Sequence, residues 1–101
     1  MIVRRWRGWA LPERRNAYRD HFERNVLPEL KAIDGFHGAE LLEREDNGRV
    51  EYVVETRWAS FDAIRAFAGD TPDLAVVEPE AVAALEDFDR TVHHYSIVAT
   101  S

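Results

Sequence analysis

Two adjacent histidines, His93 and His94, stand in the middle of the strand-like segment "VHHYSIV". Histidine is the side chain that most often exchanges a proton near neutral pH, so either one is a candidate general base. Successive residues of a strand point to opposite faces of a sheet, so the two imidazoles cannot serve one ligand. The apolar neighbours Tyr95 and Ile97 give His93 a slight claim to the helix side, and the residue pattern leaves the choice open.

The sequence contains no local motif for thiol chemistry, metal binding or serine hydrolysis. The chain has no cysteine, which excludes disulfides, thiol catalysis and thiolate metal sites. No two histidines have the spacing of a metal-binding pair such as His-x-x-x-His, and no Gly-x-Ser-x-Gly elbow is present. We therefore expect neither a metal site nor a serine hydrolase.

Length and charge narrow the classes of partner. A chain of 101 residues fits a single domain spanning 1–101, and its net charge of −6 argues against nucleic acid. The run "RRWRGW" mixes arginine with tryptophan as a base-stacking surface does, but the charge outweighs it. No apolar run is long enough for a membrane, and the charges in "MIVRRWRGWA" argue against a signal peptide. The sequence predicts a cytoplasmic protein without nucleic-acid or membrane partners.

Four strands, two of them joined as a hairpin, can be recognised in the sequence. The segments "FHGAELLERE" and "VEYVVETRW" are separated by "DNGR", and an Asn-Gly pair between two such runs predicts a tight hairpin. The first strand is "IVRRWRGW". The predicted strands cover 2–9, 36–45 and 50–58, and the closing "VHHYSIV" is a fourth.

Helices are predicted between these strands. Apolar residues recur at helical spacing after Pro12 and end near Gly35, with a kink or restart at Pro28. Ser60 is expected to cap a short helix. The inward residues of these two helices are predicted to be Tyr18, Phe22, Val26, Leu30 and Ile33 in the first, and Phe61, Ile64, Phe67 and Ala68 in the second. Residues 74–88 are expected to be helical in part, with a break at Pro79.

The resulting order β-α-β-β-α-β predicts an α+β, ferredoxin-like fold with an antiparallel sheet and both helices on one side. The helix-free face carries Val3, Trp9 and Val53 among arginines and glutamates. Because such a face would be bare in a monomer, we expect it to meet a second copy of the chain. Opposite charges on this face are expected to pair within it or across a homodimer.

With its elements placed, the sequence resembles the antibiotic biosynthesis monooxygenase (ABM) family of the dimeric α/β-barrel superfamily. The segments that carry the resemblance are "MIVRRWRG", "GFHGAELLERE", "ETRWASFDAIRAFAGD" and "DFDRTVHHYSIV". The resemblance implies a homodimer whose two sheets close into one barrel, and a pocket between sheet and helices in each subunit. Some members oxygenate aromatic polyketides with O2 and no bound cofactor, and others degrade haem.

The haem-degrading members use an Asn on the first strand, a Trp on the second helix and a His soon after. Here the first strand has no Asn, Phe67 occupies the approximate place of the Trp, and "PDLAVVEPE" contains no His. We therefore expect no haem and no other cofactor.

The resemblance also suggests roles for individual residues. Family members tend to carry a His directly before the Tyr, which favours His94 as the pocket base, and Arg4 could hold a developing oxyanion. Aromatic pocket walls are expected from Trp6, Tyr52, Trp58 and Phe67. The predicted function is a cofactor-independent monooxygenase acting on a hydrophobic, aromatic or polyketide-type substrate. The alternative is a dimeric-barrel protein that binds small ligands without catalysis.

Overall fold

A β-hairpin forms one side of the sheet. In the computed structural model, which describes residues 1–101, strand β2 (Phe36–Asp46) pairs antiparallel with strand β3 (Arg49–Trp58). Asn47 and Gly48 between them have φ angles of 51° and 83°. These are the left-handed conformations that a tight two-residue hairpin turn requires, so the predicted Asn-Gly hairpin is confirmed.

The first strand and the last strand complete the sheet. Strand β1 (Ile2–Ala10) pairs antiparallel with β3, and its other edge receives two short strands, β4 (Asp87–Phe88) and β5 (His93–Ser96). The order is β2-β3-β1-β4, with β5 also beside β1. The predicted ferredoxin-like α+β fold with an antiparallel sheet is therefore confirmed.

The first helical stretch changes its winding before Pro28. A 3₁₀ turn (Pro12–Arg14) leads into α1 (Arg15–His21), a π-helical turn (Phe22–Val26) and α2 (Leu27–Lys31). In the π-helical turn the Leu27 N–H donates to the Phe22 carbonyl, five residues back. Pro28 has no N–H to donate and its ring crowds a regular α-helical turn, and the wider turn accommodates both defects. The predicted kink thus takes the form of a π-helical turn.

Helix α3 (Phe61–Ala68) begins where the sequence predicts. The Ser60 hydroxyl accepts a hydrogen bond from the Ala63 N–H at 3.2 Å, and Ile64 is fully buried. Phe61 was expected to point inward, but its side chain is 41% exposed. Standing at the first position of the helix, its ring packs against the edge of His94 instead of the core, with centroids 5.2 Å apart.

The segment after α3 departs furthest from the prediction. Only α4 (Pro79–Ala84) is helical, with Pro79 in its first turn. Residues 73–75 bond instead to the segment between β4 and β5, with the Ala75 N–H donating to the Arg90 carbonyl at 2.9 Å and the Val92 N–H to the Asp73 carbonyl at 2.8 Å. Because these backbone groups pair across the chain, the segment before Pro79 cannot form a helix and becomes a loop (residues 70–78).

The core consists of two clusters on the helix side of the sheet. One is built around Trp6, Tyr18 and Tyr52 and is closed by α4. The other surrounds Trp58, with Leu30, Ala63 and Ile64 packed on it. The candidate site lies between them.

The helix-free face of the sheet is dominated by ion pairs within the chain. Arg5 contacts Glu55 at 3.3 Å and Arg7 contacts Asp89 at 2.9 Å. Arg44 donates to Glu51, a carboxylate that is itself almost buried, at 2.7 Å. Arg57 donates to Glu40 in the same way. The charges predicted to pair on this face therefore pair within one chain, without a second subunit.

Candidate functional site

A small cavity of about 60 Å³ lies between the sheet and the helices. Alternation along β1 and β3 directs Arg4, Trp6, Val54 and Thr56 toward it. The apolar stripe of the first helical stretch supplies the facing wall, as its helical spacing predicts. The apolar residues that bound the cavity include Trp6, Val26, Leu30, Val54, Phe67 and Val92.

Arg4 lies in the cavity wall, but its guanidinium is already engaged. Its two terminal nitrogens donate to the carbonyl oxygens of Pro72 at 3.2 Å and Leu74 at 2.9 Å, and the group lies 5.7 Å from the centre of the Phe67 ring. Burial lowers the pKa of Arg4 to about 10, against the opposing effect of nearby Asp73. Arg4 stays protonated near neutral pH, and its donors hold the 70–78 loop onto the sheet.

Two further polar groups of the cavity wall have partners within the chain. The Trp6 indole N–H donates to the Asp89 carbonyl at 2.7 Å. The Thr56 hydroxyl accepts from the Trp58 indole N–H at 2.7 Å and faces the Arg4 carbonyl at 3.5 Å. These groups fix the shape of the wall and are not free to bind a ligand.

Tyr18 and His21, one helical turn apart on α1, also line the cavity. Their side chains are almost buried, and their ring centroids lie 6.1 Å apart. His21 Nδ1 contacts the Asn25 side-chain amide at 3.0 Å. Burial, followed by the nearby Glu78 carboxylate, raises the pKa of Tyr18, so its hydroxyl stays protonated.

His94 faces the helix side of the sheet, directly opposite Arg4 on the neighbouring strand. Its side chain is 8% exposed, and Nδ1 lies 3.3 Å from an Asp73 carboxylate oxygen. Its Nε2 is sealed from solvent and has no hydrogen-bond partner. Burial and then the Arg4 charge lower the pKa of His94, against the opposing effect of Asp73.

The antibiotic biosynthesis monooxygenase family model matches residues 1–78, more than half of the chain. The chain belongs to the antibiotic biosynthesis monooxygenase (ABM) family. The resemblance seen in the sequence is therefore confirmed. A search of curated proteins found no match.

Solved structures share the fold of this ABM protein along its whole length. A protein from Deinococcus radiodurans that carries the name antibiotic biosynthesis monooxygenase has a TM-score of 0.66 at 13% identity, covering 100% of this chain and 96% of its own. A protein of the same name from Bacillus cereus has a TM-score of 0.66 at 16% identity, covering 99% of this chain and 95% of its own. Rv0793 from Mycobacterium tuberculosis has a TM-score of 0.63 at 19% identity, covering 99% of this chain and 97% of its own. At these identities the similarity establishes the fold alone.

Three of the six predicted site residues of this ABM protein line the cavity, namely Arg4, Trp6 and Phe67. Tyr52 does not, because it lies beneath α1 with its hydroxyl donating to the Arg15 carbonyl at 2.8 Å. Trp58 does not either, because it packs at the centre of the second core cluster. The expected placement of both rings in the cavity wall is corrected accordingly.

His94 has the orientation expected for it, but it does not have the expected position in the cavity wall. It points toward the helices and His93 is exposed on the other face, but His94 does not line the cavity. The 70–78 loop and Arg4 intervene, because Asp73 holds the imidazole and Arg4 holds the adjacent carbonyls. His94 as the pocket base is therefore not supported by the geometry of this ABM protein.

Tyr18 and His21 were not recognised as site residues from the sequence. Helical spacing predicts Tyr18 only as part of an apolar stripe, and the spacing of the histidines predicts no metal-binding role for His21. Their shared position on one helix face, three residues apart, was the available signal.

The structure has no group of three or more histidine, aspartate or glutamate side chains arranged to hold a metal ion. None of its helices combines the length and apolarity needed to cross a membrane.

Proposed function

We propose that the chain is a monooxygenase-like enzyme that uses O2 without a bound cofactor to oxidise an aromatic or polyketide-type small molecule. The observation that carries the proposal is the cavity between sheet and helices, which has apolar, aromatic walls and an imidazole and a phenol among its lining groups. Membership of the ABM family and the names of the Deinococcus and Bacillus proteins support the same chemistry.

Oxygen insertion without a cofactor requires that the substrate supply the electrons. A methylene group next to a phenol can lose a proton to give a carbanion, which passes an electron to O2. After the two radicals combine, one oxygen atom becomes a carbonyl oxygen, and the other leaves as water with the two hydrogens of the methylene. The protein must supply a water-poor space, a group that accepts the proton, and a donor for the developing oxyanion.

The size of the cavity limits what can bind without a structural change. Small-molecule pockets usually measure roughly 300–1,000 Å³, whereas this cavity measures about 60 Å³. A ligand as large as a fused-ring polyketide would therefore need the 70–78 loop to move outward. That movement requires breaking the hydrogen bonds from Arg4 to Pro72 and Leu74.

Oxygen uptake in the presence of small phenols and anthrone-type compounds tests the proposal. A compound that is turned over should consume O2, and one atom of ¹⁸O₂ should appear in the product. Val54 lines the cavity, so Val54→Phe should fill it and abolish uptake. Val98→Phe is the matched control, because Val98 is 93% exposed and should not affect turnover.

The alternative function, a protein that binds small ligands without catalysis, predicts a different result in the same experiment. Ligands would bind to the wild type and fail to bind Val54→Phe, yet no phenol or anthrone would cause oxygen uptake. That outcome would refute the monooxygenase proposal and support the alternative.

We further propose that two copies associate through the helix-free face, which the resemblance to the ABM family also implies. Leu42 and Tyr95 on this face are 43% and 50% exposed. The arginines there are paired within the chain, so burial would not leave them without counter-charges. The absence of haem remains a prediction, which a haemin titration without a Soret shift would support.

A further inference from the structure

The cavity wall contains polar groups of two kinds, those with partners in the chain and those without. Arg4, Trp6 and Thr56 have partners, as described above. The Tyr18 hydroxyl and His21 Nε2 have none: the only hydrogen bond of either side chain joins His21 Nδ1 to Asn25.

These two groups belong to side chains that line the cavity. His94 Nε2 is the one side-chain nitrogen or oxygen that is both sealed from solvent and without a partner. The Tyr18 hydroxyl and His21 Nε2 therefore each keep accessible surface, and the side chains that carry them line the cavity. A polar group in an apolar space gains free energy from any partner that enters, because leaving it unbonded costs roughly 1–3 kcal/mol.

The charge around the cavity selects among the possible partners. Glu78 lines it beside Tyr18, and the charge of Arg4 is directed to the loop carbonyls. An anionic ligand would approach Glu78 without gaining a free cation. A neutral hydroxyl group meets no such repulsion, and it can both accept a hydrogen bond and donate one.

We infer, on the basis of the proposed function, that Tyr18 and His21 bind the hydroxyl group of an uncharged aromatic ligand and that Glu78 disfavours carboxylates. The ligand oxygen accepts from the Tyr18 O–H, and the ligand O–H donates to His21 Nε2. The Asn25 amide nitrogen lies 3.0 Å from Nδ1, an arrangement in which Nδ1 accepts and Nε2 carries the proton. For Nε2 to accept the ligand O–H, the amide must turn by 180° so that its oxygen accepts from Nδ1–H. His21, rather than His94, is then the group placed to take a proton from the ligand.

Binding of one-ring probes tests the inference independently of turnover. Phenol, benzoate and toluene are titrated into ¹⁵N-labelled protein, with the Trp6 indole resonance reporting on the cavity. Wild type should bind phenol more tightly than toluene, and benzoate least tightly. Tyr18→Phe and His21→Gln should each weaken phenol binding about threefold to tenfold, the effect of one hydrogen bond, and leave toluene binding unchanged.

Retained toluene binding shows that each variant keeps the cavity. Glu78→Gln should strengthen benzoate binding without changing that of toluene. The controls Tyr95→Phe and His37→Gln remove the same chemical groups at exposed positions and should bind phenol as wild type does. Phenol binding unaffected by both cavity variants, or benzoate binding tighter than phenol, would overturn the inference. Absence of oxygen uptake with these binding results intact would count against the proposed function alone.

Discussion

Arg4 and His94 occupy opposite positions on neighbouring strands, and together they explain why the cavity lies where it does. The Arg4 guanidinium uses two donors on loop carbonyls, and His94 uses Nδ1 on the carboxylate of the same loop. Both residues were predicted to act on a substrate. The structure instead has each of them holding the 70–78 loop, which leaves Tyr18 and His21 as the polar groups open to a ligand.

His94 makes stability depend on pH in a defined direction. Burial holds its pKa below 6.5 in the folded chain, so the unfolded chain binds more protons as the pH falls through about 6.5. The contribution of neutral His94 to the free energy of unfolding is present above that pH and is lost below it. Urea unfolding at about pH 7.5 and about pH 5.5 should show a smaller decrease for His94→Gln than for wild type.

The exposed His37 provides the control, because His37→Gln should keep the pH dependence of wild type. An equal decrease in wild type and His94→Gln would show that the buried imidazole does not carry the effect.

At the scale of elements, local pattern predicts the chain well up to about residue 68 and less well after it. Asn47-Gly48 and Ser60 fix a turn and a helix start through their own backbone and side-chain chemistry. Residues 70–92 follow a path set by distant partners, such as Arg4 for Pro72 and Trp6 for Asp89. Such pairings leave no periodic signal in the sequence, which is why the sequence predicts partial helix over residues 74–88, whereas the structure is helical only at Pro79–Ala84.

The same distinction applies to the site. Strand alternation correctly places Arg4 and Trp6 on the cavity side of the sheet. It also places Tyr52 and Trp58 on that side, but it cannot show which buried rings border the cavity and which are enclosed by others. The depth of a side chain depends on the packing of several elements at once.

The cap of α3 can be tested by a single substitution. Ser60→Ala removes the acceptor for the Ala63 N–H and should lower the free energy of unfolding by about 1 kcal/mol. Chemical denaturation measures the change. Ser101→Ala, at the exposed end of the chain, should have no effect, and an equal loss in both variants would argue against capping.

At the scale of the whole molecule, the sheet has one face covered by helices and one face open. The open face combines paired charges with exposed apolar side chains such as Leu42. An obligate interface usually buries on the order of 2,000 Å² or more, and a carboxylate placed in it without a partner costs several kcal/mol.

Leu42→Glu should therefore convert a dimer to a monomer at micromolar concentration, as measured by light scattering. Val82→Glu adds the same charge at a position that is 48% exposed on α4, on the other side of the sheet, and should leave the mass unchanged. A monomeric wild type would refute the proposed association directly.

The backbone pairing of residues 73–75 with residues 90–92 allows opening of the cavity to be measured by amide hydrogen exchange. The amide hydrogens of Ala75 and Val92 are hydrogen-bonded only through this pairing. Each can therefore exchange with deuterium only when the 70–78 loop separates from the segment between β4 and β5. Their exchange rates, compared with those of amides in β3, report how often a path into the cavity forms in the absence of any ligand. If ligands enter past this loop, the opening that these amides report must also precede ligand binding.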